Sequence, residues 1–103
     1  MKLEEVLQVI DAGILVTNAD FNVIWANKFE EDYYKKPVLG LWVVDCHQES
    51  NKEKIAEFLE RFKSGELKTF IKTTPHGMRI TYSSYFEEGK FAGIVRTRMF
   101  LNT

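Results

Sequence analysis

Two side chains able to act as nucleophile, base or metal ligand stand side by side in "VVDCHQES", residues 43–50: Cys46, the one cysteine of the chain, and His47, one of its two histidines. A thiolate–imidazole pair is the first chemistry they suggest. Neighbours in an extended segment point to opposite sides, however, so adjacency in sequence does not make a dyad. No Ser/His/Asp set or paired carboxylates accompany them, as nucleophilic or acid–base catalysis would require. Walker-type and dinucleotide-binding glycine patterns are also missing. The chain therefore does not read as an enzyme. Cys46 reads as a small buried hydrophobe, since a free thiol is inert unless its thiolate is stabilised. A single cysteine makes neither an intrachain disulfide nor a cysteine-rich zinc site. The acidic residues Glu30, Glu31, Asp32, Glu57 and Glu60 alternate with lysines and read as solvated faces.

The elements that must position these residues follow from periodicity. In "LEEVLQVIDAG", Leu3, Val6, Leu7 and Ile10 keep helical spacing and Gly13 lies past the stop, which predicts a helix over 3–10. "ILVTNADFNVIWAN" is a hairpin turning at Asn18-Ala19-Asp20. Residues 27–36, "NKFEEDYYKK", read as a short helical or irregular segment closed by Pro37. The main helix is expected over 51–64. Ser50 with Glu53 is a capping-box pattern, Ile55, Phe58, Leu59 and Phe62 make one apolar stripe, and Gly65 supplies the left-handed stop. "LKTFIKTT", "MRITYSSYF" and "FAGIVRTRMFL" read as strands joined at "PHG" and "EEGK". In the second of them Met78, Ile80, Tyr82, Ser84 and Phe86 share one face, and Arg79, Thr81, Ser83 and Tyr85 the other.

This order predicts an α+β fold: a five-stranded antiparallel sheet covered on one face by one main helix and short helices. At 103 residues the chain makes one domain. Residues 1–11 are its flanking helix and 12–103 its folded unit. Fourteen basic against fifteen acidic residues leave a charge of −1, with no surplus to neutralise phosphates, so nucleic acid is not an expected partner. No apolar run reaches the roughly 20 residues that span a bilayer, and the N-terminus does not resemble a signal peptide. A soluble cytoplasmic protein with no membrane partner is expected.

In order and spacing, "GILVTNADFNVIWAN", with Asn27 on the family's usual asparagine, "VLG" at 38–40 and "FAGIVRTRM" together resemble a PAS domain over nearly the whole chain. The family's Asp-Ile-Thr ending after the last strand is missing here, where "MFLNT" stands, so output is expected through another surface or a partner. The reactive-cysteine motif of flavin-binding light sensors is absent too. "DCHQESNKEKIAEFLERFKSGE" is similar to a subgroup with Cys-His-Pro-Pro ahead of the main helix, Gln48 and Glu49 replacing the prolines. That subgroup includes haem-binding domains of carbon-monoxide-responsive regulators.

The resemblance implies His47 as proximal haem ligand and Met78 as the displaceable distal one, a thioether weak enough for CO to replace. His76 and Met99 are fallback ligands, and Trp25, Trp42, Phe58, Phe62, Ile71, Ile80, Tyr82 and Val95 are the walls. The implied function is a sensory module binding a small ligand, haem first among them, and signalling to a downstream protein. The alternative is a ligand-free interaction module: helices ahead of the first strand often pair in this family, and Leu3, Val6, Leu7 and Ile10 would need cover. A homodimer through residues 3–10 is expected.

Overall fold

Five segments pair into one antiparallel sheet in the computed structural model, which describes residues 1–46 and 49–101. They are β1 (Gly13–Thr17), β2 (Val23–Ala26), β3 (Thr69–Thr73), β4 (Met78–Glu87) and β5 (Lys90–Phe100), in spatial order β2-β1-β5-β4-β3. The expected α+β architecture is present. Three α-helices accompany the sheet among the described residues: α1 (Leu3–Gln8), α2 (Lys28–Tyr34) and α3 (Lys52–Lys63). Two 3₁₀ turns, Val43–Cys46 and Glu49–Asn51, lead into α3.

The pleat sorts side chains into two faces, and register fixes which residues meet. On the inner face Ala26, Leu15, Arg96, Tyr82 and Phe70 form one row across all five strands. Gly13, Arg98, Ile80 and Lys72 form the next. Against this face lie Leu59 and Phe62 of α3 and Val38, Val43 and Val44 from the segment before it, all buried. Each such aliphatic or aromatic side chain contributes about 1.5–3 kcal/mol by leaving water. Outward, Trp25, Val16, Val95 and Ser83 make a half-buried row.

The stripe of α3 packs as expected, but the helix begins differently. The capping box of Ser50 and Glu53 is not the start of the helix: its N-cap is Asn51, which makes no side-chain cap bond. The 3₁₀ turn runs straight into the helix and leaves Asn51 at φ −106°, ψ −7°, not in the extended conformation from which a capping side chain reaches back. At the other end Gly65, at φ 87°, takes the left-handed conformation and donates its N–H to the Phe62 carbonyl at 3.1 Å.

The buried Asn27 joins three elements through one amide. It is the N-cap of α2, and its Oδ1 accepts from the N–H of Glu30 at 3.2 Å and of Ile14 at 3.0 Å. Its Nδ2 donates to the carbonyls of Ala12 at 2.7 Å and Leu7 at 3.1 Å. Gln8 adds a second tie, its Oε1 accepting from Lys28 N–H at 2.6 Å. The first helix is shorter than the expected span and buries none of its residues, so polar bonds at its C-terminal end hold it.

Asn27→Ala is expected to lower unfolding free energy by about 2–4 kcal/mol, because it orphans several buried groups at once. Asn51→Ala should change it by less than about 0.5 kcal/mol. Urea midpoints of the two variants at an unchanged slope check both values.

Candidate functional site

The inner face divides into a charged end under α2 and an aromatic end under α3. At the charged end Glu30 is fully buried in the first turn of α2. Its carboxylate accepts from Arg96 Nη2 at 3.1 Å and from Arg98 Nε at 2.9 Å. Both arginines project from β5, at 1% and 5% exposure. Each also donates to the hydroxyl of Tyr34, at 2.8 and 2.9 Å. The Arg98 guanidinium stacks 4.0 Å from the centre of the Tyr33 ring, a favourable placement for a cation over an aromatic face. The carboxylate fits because β1 offers Gly13 there: a Cβ would collide with Glu30 Oε2.

Burial works against the charge on Arg96, but the Tyr34 and Tyr82 hydroxyls and Glu30 outweigh it and hold its pKa above the ordinary value. The guanidinium stays charged, and its Nε has no hydrogen-bond partner among the described residues. Two guanidinium groups against one carboxylate leave this cluster, as described, with an excess positive charge.

The expectation that Glu30 lies on a solvated face is corrected: it is at the centre of the molecule. A short helix shows no clear periodicity, and the partners that make burial tolerable lie more than sixty residues away. The arginines did leave a signal. In "GIVRTRM" Arg96 and Arg98 alternate with Ile94, which places both on its buried face.

At the aromatic end Phe58 of α3 meets Phe62, Phe70 and Tyr82 edge-on, with centroids 5.1, 5.0 and 5.0 Å away. Beside these rings a cleft of about 260 Å³ opens between α3, β3 and β4, lined by Lys54, Ile55, Phe58, Phe70, Lys72 and Tyr82. Tyr82 joins the two ends, since it lines the cleft and pairs in register with Arg96.

The structure brings together only part of the expected haem site. Phe58, Phe62, Ile80 and Tyr82 share the inner layer. Trp25 and Val95 lie on the outer face, as does Ile71, paired with Thr81. Trp42 is 42% exposed beside α3. The fallback ligands His76 and Met99 are both exposed. His47 falls outside the described residues, as does the side chain of Cys46. Met78 is buried on the inner face, but its sulfur accepts from Arg98 Nη1 at 3.3 Å. The expected His/Met pair needs a free axial thioether facing an apolar cavity. The space beside Met78 holds the guanidinium of Arg98 instead, so Met78 is not a free axial ligand here. Among them no cluster of three His, Cys, Asp or Glu side chains could hold a metal ion, and no helix is long and apolar enough to cross a membrane.

Solved structures with this fold exist. The PAS domain of BvgS from Bordetella pertussis matches with TM-score 0.79 at 16% identity, over 98% of this chain and 85% of its own. A PAS domain from Colwellia psychrerythraea matches with TM-score 0.74 at 16% identity, over 94% and 92%. The fold is the PAS fold. A sensory box sensor histidine kinase from Vibrio cholerae matches at 0.66 and 9%, over 98% and 90%. No family model and no curated protein matches the sequence. At these identities the likeness carries the PAS architecture, and what the site does must come from its own residues.

Glu30→Gln, which keeps the shape and removes the charge, is expected to cost about 3–5 kcal/mol because it leaves two buried cations. Replacing all three residues together, Glu30→Leu with Arg96→Met and Arg98→Met, should recover most of that loss. Urea unfolding of both variants measures it.

Proposed function

We propose that the chain is a PAS sensory module that holds a small organic ligand in the cleft between α3, β3 and β4. The observation that carries this reading is the cleft itself, whose floor of aromatic rings includes Phe70 at 38% exposure. Partly exposed, concave apolar surface with a few polar groups at its edge is the usual character of a small-molecule site. The sensor histidine kinase among the similar structures supports a signalling role. Haem is not part of this reading, in which the sulfur of Met78 is engaged by Arg98.

Occupancy has a physical route out of the cleft. A ligand pressing on Tyr82 acts on the register partner of Arg96, and Arg96 is bonded to Glu30 and Tyr34 of α2. The N-cap Asn27 then ties α2 to the end of α1. Such a ligand shifts the module between states only by the difference in its affinity for them. The response read by a partner is therefore a change in how α2 and α1 sit against the sheet.

Titration with octanol, a neutral apolar probe, is expected to shift the amide resonances of Phe58, Phe70 and Tyr82 together and saturably. Ile55→Trp, which fills the cleft, should abolish the shift in a protein that remains folded. Unmoved resonances at all three positions would reject the reading.

A second reading, a ligand-free homodimerising module, is favoured by α1, where Leu3 and Val6 are 61% and 41% exposed. Leu3→Glu with Val6→Glu should convert a dimer to a monomer in size-exclusion chromatography. A monomer before substitution removes the reading.

A further inference from the structure

We infer that the cleft selects an amphipathic monocarboxylate, with Lys54 and Lys72 receiving the carboxylate and the rings receiving the apolar body. The inference rests on the cleft reading above and adds the chemical class of its occupant. Two observations carry it. The two cations approach from different elements, Lys54 from α3 and Lys72 from β3, and no carboxylate is among the six residues lining the cleft. Neither lysine has an ion-pair partner among the described residues, whereas Lys63 and Arg61 on the same helix are paired with Asp20 and Glu66.

Register explains why the charge sits there. Lys72 pairs with Ile80 and Phe70 with Tyr82, so both β3 side chains stand on the inner face, at the open edge of the sheet where α3 overhangs it. The apolar stems of lysines can lie along the rings while their ammonium groups stay in water at the rim. A neutral ligand would use the rings and leave both charges unanswered. A cationic ligand would be repelled. A second carboxylate at the far end of the ligand would lie against the aromatic rings, away from both rim lysines. The volume of about 260 Å³ lies just under the range of about 300–1,000 Å³ typical of drug-sized ligands, which favours a short chain or a single ring.

The test compares octanoate with octanol, which share the chain and differ in the head group, by amide shift titration of the full chain at low salt. Octanoate is expected to bind about tenfold more tightly, the scale of two solvent-exposed charge contacts. The advantage should shrink toward twofold in about 1 M salt, where such contacts are screened. The double variant Lys54→Gln, Lys72→Gln is expected to bring the ratio of the two affinities close to one. Equal affinities in the unaltered protein, or an undiminished ratio in the double variant, would overturn the carboxylate assignment while leaving a cleft that binds apolar molecules. Saturable binding of neither probe would overturn the assignment and the cleft reading together.

Discussion

The carboxylate of Glu30, sunk beneath β1 and gripped by two arginines of β5, is the constraint on which the packing of this domain depends. A buried charge is tolerated only when paired and hydrogen-bonded. Glu30 meets both conditions through Arg96, Arg98 and the absence of a side chain at Gly13. Those contacts exist in one register alone. Sliding β5 by one residue would turn both arginines to the outer face and carry Thr97 inward. Apolar residues of similar volume could fill this space at no loss of stability. The gain from the charged version is that α2, β1 and β5 are locked in one arrangement.

Around that lock the molecule is built asymmetrically. Under α2 the inner layer is polar and closed, with the two arginines donating to carboxylate, hydroxyl and sulfur, while Arg96 Nε has no hydrogen-bond partner among the described residues. Under α3 the inner layer is aromatic and partly open, because β3 is an edge strand whose residues are all exposed. A helix packing across the edge of a sheet covers the last strand incompletely, and the cleft is the uncovered remainder. Tyr82 stands on the border of the two halves. Its ring packs on Phe58 and Phe62, while its register partner is Arg96. The aromatic cleft and the charged cluster are thus neighbours within one row of the sheet.

Much of this was legible in the residues. The alternation in "MRITYSSYF" assigned Met78, Ile80 and Tyr82 to one face correctly, and the stripe of Phe58, Leu59 and Phe62 located the main helix. Asn27 stood out as the residue opening the short helix, and it proves to be the amide that joins α1, β1 and α2. Elsewhere local signals misled. Ser50 and Glu53 matched a capping pattern that a preceding 3₁₀ turn overrides. Glu30 sat among charged neighbours and was read with them as solvated. Trp25, Ile71 and Val95 looked like cavity walls by type, yet their parity along the strands puts them outside.

By itself the sequence determined which segments are strands, where the main helix lies, the order of the strands along the chain and the side of β4 that faces the core. Those properties are local, set by periods of two and of 3.6 residues and by turn chemistry. Only the tertiary structure decided that β5 lies between β1 and β4, and therefore that Arg96 and Arg98 meet Glu30. It also decided that Lys54 and Lys72 flank one apolar cleft. Pairings across tens of residues leave no periodic trace in a single chain: a charged side chain reads as solvated until its partner is brought to it.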